Sequence, residues 1–580
     1  MKLVQRSGTG TTRVMVPALL LAASVVVAAC SLGGADGPPP ETIFTGEFIT
    51  LDADKPRVQA LAVAGGRVVA AGSVAEIERL AREATRRVAV PGVAVPGWAE
   101  GHGHPPGVAP LPGTLDFYGK SKADVLNAIR EVVRTTPPGQ WITGRAWDEG
   151  FWDPPEFPTA ADLDALSREH PMRFSRLGGH GSWVNSKALE LAGITRTTPD
   201  PPGGRIVRNR KGAATGFLVD RAQSLLPGSA EAAEAEEEGE ARLRAGLQQY
   251  VRWGVTSVHD AGASLERIAM YKKLLESGEL PVRVYVMARG ESAQEHYLTS
   301  GPEPDVRGDG MLSIRSIKLM LDGSLGGRGA ALTEPYADAP ETRGVDMMTE
   351  EELDHVIKRA RAKGIQLNPH VIGERAVKRA LDAFERNGVT PADRYRLEHA
   401  SVIRPEDVPR MARLGVIASM QGVFVGEYGR WAEHRLGPER AKWVMPVRDL
   451  LDAGVVVAQG TDYPASDTGD PIYTLFGLVA RQDAAGRPPG GWYPAQRISV
   501  DEALRTMSTS AAFAAFQEND LGRLTVGRYA DFTVLSGDPY QVLPQDLRKL
   551  KVHMTVVGGR VAFDAREGER RTGTQGSPLM

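Results

Sequence analysis

One cysteine in 580 residues closes off several readings at once. No disulfide can form within the chain and thiolate metal sites are excluded, so any metal must sit on His, Asp, Glu or a modified Lys. Charge of one sign is also missing. The 69 basic residues nearly balance 72 acidic ones, and a net charge of -3 suggests neither nucleic acid nor an acidic surface as a partner. Long hydrophobic runs are scarce, and the apolar stretch from Val14 to Ala29 falls short of the ~20 residues of a bilayer-spanning helix. What is present is a globular balance of 42% hydrophobic and 24% charged residues. A chain this long suits one large domain with a smaller companion.

The apolar stretch follows Lys2, Arg6 and Arg13, as in an export signal. It ends in Val27-Ala28-Ala29-Cys30, which resembles the bacterial lipoprotein box. That resemblance implies a signal peptide over residues 1–30, cleaved to leave Cys30 as a lipidated N-terminus; the other reading is an uncleaved membrane anchor. Residues 31–40 are Gly/Pro-rich and read as a flexible tether. Ser31, where Asp would favour inner-membrane retention, implies an outer-membrane or cell-surface address. The expected location is therefore the cell envelope, with the membrane touched only through the lipid anchor.

Short alternating segments between Thr42 and Val69, separated by Gly and Asp turns, read as β-meander. Similar segments recur from Ala530 to Phe563. Pairing the two sets predicts a small β-sandwich domain from both chain ends, residues 41–95 and 515–570. The middle, residues 96–514, alternates apolar runs with helical segments. Runs at 254–259, 282–287, 314–321, 364–370, 395–399, 415–420 and 455–461, with the strand before His102, make eight. Eight alternating units predict an α/β fold, a (β/α)8 TIM-like barrel. Residues 116–250 do not fit the count and read as an insertion after the first barrel strand. Its Trp141, Trp147, Trp152 and Trp183 suit either a wall over the barrel mouth or a core of the insertion's own.

The segment from Val93 to Pro105 organises the rest, because His102 and His104, one residue apart at a strand end, point the same way. Gly101 and Gly103 carry no Cβ, which leaves room for an ion and a substrate near the backbone. In such barrels the C-terminal strand ends face the mouth where chemistry is done. Those ends carry His102, His104, Lys318, His370, His399 and Asp462, an oxygen and nitrogen set suited to Zn²⁺ or a related divalent ion.

These residues sit in longer words: Pro96-Gly97 before His102-Gly103-His104, Ile317-Lys318-Leu319-Met320-Leu321-Asp322-Gly323-Ser324, His370-Val371-Ile372-Gly373-Glu374-Arg375, Leu397-Glu398-His399-Ala400 and Gly460-Thr461-Asp462. Gly527-Arg528-Tyr529-Ala530-Asp531 follows near the end, and the run from His180 to Leu189 lies in the insertion. Together they resemble the metal-dependent amidohydrolases, in the branch of the N-substituted formamide deformylases. The resemblance spans nearly all of the chain after the tether.

It implies one or two divalent ions, usually zinc. His102 and His104 would hold the more buried ion with Asp462, and His370 with His399 the more exposed one. Lys318 would bridge them as a carbamate formed with CO₂, since an ammonium has three donors and no lone pair for a metal. The competing reading is an unmodified Lys318 neutralising Asp322. The implied chemistry is attack by a hydroxide from an ion-bound water on a small-molecule amide or formamide carbonyl, with Asp462 passing the proton to the leaving nitrogen. His180, Arg328 and Glu374 are candidates to meet substrate; Glu374 replaces the family's more frequent Asp and has Arg375 beside it. His259 reads as structural, and His170, His296, His355, His434 and His553 as surface residues. An esterase, lactonase or cyclic-imide hydrolase would use the same hydroxide, and a surface solute-binding lipoprotein is the reading outside catalysis. Oligomeric state stays open.

Overall fold

The computed structural model describes residues 38–109, 113–227 and 236–567. The expected signal peptide, Cys30 and residues 31–37 of the tether lie outside the described residues. Among the described residues no helix is long and apolar enough to cross a membrane.

Eight parallel strands form the barrel in chain order: Trp98–Gly103, Val255–Ala263, Arg283–Ala288, Leu312–Met320, Gln366–Val371, Arg396–His399, Ile417–Gln421 and Val457–Gly460. These are the eight runs expected from sequence. Helices between them are set by local chemistry. Thr349 and Glu352 form a reciprocal capping box on Glu350–Lys363, and Gly364 ends it in the left-handed region before the chain enters a wholly buried strand. The seam between first and last strands is held by the Asp462 N–H on the His102 carbonyl at 2.9 Å. Gly101 is needed there, because a Cβ would lie 2.5 Å from the Gln459 carbonyl oxygen. A Cβ at Gly103 would meet the Tyr250 hydroxyl at 2.6 Å. Both glycines therefore make room for barrel neighbours, which corrects the expectation that they make room for an ion.

Both chain ends enter one seven-stranded hydrogen-bonded sheet. The long strand Arg86–Pro96 joins them, pairing in parallel with Thr42–Ile49 and antiparallel with Phe532–Leu535. Phe44 and Phe48 meet Phe532 edge-on, with ring centroids 5.0 and 5.5 Å apart. Burial of each such ring is worth about 1.5–3 kcal/mol.

The insertion has a six-stranded sheet of its own, from Leu115–Asp116 to Ala214–Asp220. Trp147, Trp152 and Trp183 fill its core, and each indole N–H donates to a backbone carbonyl within it. Trp141 is half-buried against the adjoining apolar cluster. The sequence-based insertion ran too far. Helix Glu236–Arg252 places Leu243, Leu247, Tyr250 and Val251 in the barrel core, so it belongs to the barrel. His170 and His553 are also corrected: His170 is buried between Ser167 and the Thr136 carbonyl, and His553 bonds the Pro91 carbonyl at 2.7 Å.

Candidate active site

The six residues expected as metal ligands line one cavity of about 590 Å³ at the C-terminal mouth of the barrel. Lys318 Nζ lies 3.0 Å from His102 Nε2. Asp462 Oδ1 lies 3.0 Å from His104 Nε2 and 3.6 Å from His102 Nε2. The His399 ring centroid is 4.5 Å from those of both His102 and His370. His102, His399 and Asp462 form the tightest set, each with one ligand atom within 4.8 Å of the others. That set cuts across the expected division, in which His399 belonged to the second ion and His104, whose side chain is 29% exposed, to the buried one.

The donor chemistry fits a divalent ion. His102 Nδ1 is held by Glu398, which leaves Nε2, 3.0 Å from Lys318 Nζ, as its ligand atom, while the Gln421 side-chain oxygen meets His399 Nδ1 at 2.9 Å. Burial holds the imidazoles of His102, His370 and His399 well below their ordinary pKa, so their lone pairs are available. Burial likewise brings Lys318 down to about 8. For Asp462, burial acts upward, but the His104 hydrogen bond and the charges of His399, His104 and Lys318 outweigh it and hold the carboxyl below its usual value. His399, Ala400 and Asp462 have φ of +71°, +42° and +61°, a conformation L residues adopt at a cost of about 1–3 kcal/mol each.

His180, from the insertion, also lines the cavity; its Nδ1 bonds Asp220 at 2.7 Å and its ring lies 5.0 Å from that of His370. Arg328 and Glu374 are not on the wall. Arg328 pairs with Asp338 at 2.9 Å and covers the Phe157 ring, while buried Glu374 accepts the Thr333 N–H at 2.6 Å. Both brace the loop after the fourth strand, which corrects their assignment to substrate. Arg375 pairs with Asp346, not with Glu374. Asp322 accepts the backbone N–H groups of Ala331, Ile372 and Gly373 at 2.8–3.0 Å, and burial still pushes it up to about 8, so it is no partner for Lys318.

Sequence reasoning missed the residues behind the wall. Glu398 fixes His102, and Arg396 pairs with Glu398 at 2.8 Å while donating to His259 Nδ1 at 3.1 Å. Glu100 accepts from the His102 and Thr461 N–H groups and the Thr461 hydroxyl, tying the seam together; burial pushes it up to about 7. A carboxylate two residues before a ligand histidine was the available signal for Glu100.

A profile of the amidohydrolase family matches residues 92–563. The chain belongs to that family. Among amidohydrolase relatives, it is 31% identical to a putative amidohydrolase, YtcJ, of Bacillus subtilis, covering 90% of this chain and 99% of that one. It is 28% identical to an N-substituted formamide deformylase of Arthrobacter pascens, over 90% and 98% of the two chains. An uncharacterized metal-dependent hydrolase from Pyrococcus horikoshii shares its fold, with a TM-score of 0.68 and 25% identity over 87% of this chain and 99% of that one. The protein is accordingly a metal-dependent hydrolase of carbon–nitrogen bonds other than peptide bonds.

Proposed function

We propose that this amidohydrolase cleaves a small amide or N-substituted formamide, using one or two zinc ions and Asp462 as the proton carrier. The observation that carries the reading is the position of Asp462, beside three ligand imidazoles in one cavity. The deformylase relative supports the bond type. Bound by His102, His399 and Asp462, with His104, His370 and Lys318 around them, divalent ions supply the Lewis acidity that lowers the pKa of a water and polarises a carbonyl. Asp462 takes the proton of the attacking water on a carboxylate oxygen and delivers it to the nitrogen as the C–N bond breaks, so that a neutral amine leaves. Glu398 keeps the His102 proton on Nδ1, and Asp220 does the same for His180, which lines the cavity and has its Nε2 left to accept a contact from substrate. Lys318, brought toward neutrality by burial, carries a carbamate: Nζ forms a bond to CO₂ and releases a proton.

The test is metal analysis with a panel of N-formyl, N-acyl and cyclic amides and matched esters, run on the wild type and Asp462→Asn. The variant is expected to lose roughly 10²–10⁴-fold in kcat. Turnover of esters alone defeats the amide assignment, and unchanged turnover in the variant defeats the role of Asp462. The proposal extends to an exported, lipid-anchored protein. Expressed in a bacterial host, the full chain should partition into the detergent phase and Cys30→Ser should not.

A further inference from the structure

The insertion supplies a wall of the cavity, and its sequence pattern says which side chains that wall presents. Along Met172–Arg176, burial alternates: Met172, Phe174 and Arg176 are buried on one face, while Arg173 and Ser175 point the other way and line the cavity. Arg173 has five N–H groups. Among the described residues it spends one of them, Nε on the Ser182 hydroxyl at 3.3 Å, and makes no ion pair. Ser182 is itself held, donating to the Gln223 side-chain oxygen at 2.6 Å, so the guanidinium is fixed in place from behind. Burial alone acts on Arg173, lowering its pKa, with no carboxylate to offset it. A half-buried cation without a counter-ion is costly, and proteins keep one where a ligand supplies the missing charge.

Two further guanidinium groups, those of Arg221 and Arg289, line the same cavity, and among the described residues its carboxylates are those of Asp220 and Asp462. Asp220 Oδ1 is engaged by His180 at 2.7 Å and Asp462 Oδ1 by His104 at 3.0 Å. The divalent ions of the proposed site would add further positive charge.

We propose that the substrate carries a carboxylate in addition to the scissile amide, and that Arg173 is the residue that recognises it. This rests on the hydrolase reading above and adds the chemical class of substrate to it. The planar fork of a guanidinium matches a carboxylate through two parallel N–H···O bonds, which orients the anion as well as attracting it. Arg221, on the same wall, adds attraction. A cavity of about 590 Å³ holds an amide with such a second group.

The experiment compares 4-(formamidomethyl)benzoate with 4-(formamidomethyl)benzamide, which differ only in the anion. Wild-type protein is expected to favour the acid by about 10- to 100-fold in kcat/KM, mostly through KM, as for a hydrogen bond to a charged group. Arg173→Gln should collapse that ratio, and Arg173→Lys should retain part of it. Equal rates for the two compounds in the wild type, or a ratio unmoved by Arg173→Gln, overturns the proposal. A second readout separates it from the hydrolase reading: calorimetric titration of both compounds into Asp462→Asn, with and without Arg173→Gln. If neither compound is hydrolysed but the acid still binds more tightly and loses that advantage with Arg173, the deformylation reading fails for this pair and the anion site stands. If the acid has no advantage in binding either, the anion site falls.

Discussion

The two ends of the same eight strands have been built for opposite purposes. At the C-terminal mouth, imidazoles and a carboxylate are left with atoms to spare, and three residues sit at positive φ to aim them. At the N-terminal end the third strand starts on a closed ion pair instead. Arg283, the first residue of the third strand, is 1% exposed and meets Asp531 of the seven-stranded sheet at 2.7 and 3.1 Å. Asp531 also accepts the Gly558 N–H at 2.7 Å, the Tyr529 ring covers the guanidinium, and the Thr533 hydroxyl donates to the Gly254 carbonyl at 2.6 Å. Parallel strands thus give one face to reactivity and the other to stability. The sheet from the chain ends is the clamp that lets the mouth carry strain.

The comparison breaks most visibly at the clamp. Asp531→Asn should leave Arg283 buried and unpaired and cost about 3–5 kcal/mol of stability, read by urea denaturation. Activity per folded molecule should hold, because the mouth is untouched; a kinetic defect with no loss of stability would show that the ends are not separable. Of intermediate size is the effect of Glu398→Gln, which weakens the hold on His102 from behind. Metal affinity should fall about 10- to 100-fold, measured by chelator competition. Unchanged affinity would mean that His102 needs no such support.

The effect that appears only on acidification belongs to the layer between the ends. Burial, with Arg396 adding to it, pushes His259 from 6.5 down to about 3. The unfolded chain therefore binds one more proton than the folded one between these values. Stability should fall as pH drops from about 6.5 to 3, by up to ~1.4 kcal/mol per pH unit, and this contribution levels off below that window. His259→Asn, which keeps an acceptor for Arg396, should make the acid limb shallower by about one proton; an unchanged slope would assign the limb to other groups.

The eight strands and the six residues at their mouth were legible because a parallel barrel puts chemistry at strand ends, and strand ends can be counted in sequence. Glu398 escaped because neighbours in a strand face opposite ways, and His399 breaks that rule with its φ of +71°. Arg173 and Asp220 escaped because their partners come from other strands of the insertion. Arg328 and Glu374 were misread for the converse reason: they stand next to ligand motifs, yet Asp338 and the Thr333 N–H claim them. Helix Glu236–Arg252 was assigned to the insertion because sequence order says nothing of which core an amphipathic helix will choose.

The seven-stranded sheet also sets a clock. Its strand Arg86–Pro96 lies between Thr42–Ile49 and Phe532–Leu535, so synthesis of nearly the whole polypeptide separates the first strand from the last member of that trio. At ~5–20 residues per second, the earlier pair waits roughly 20–90 s before the sheet can be completed. During that interval the newborn chain has no finished clamp.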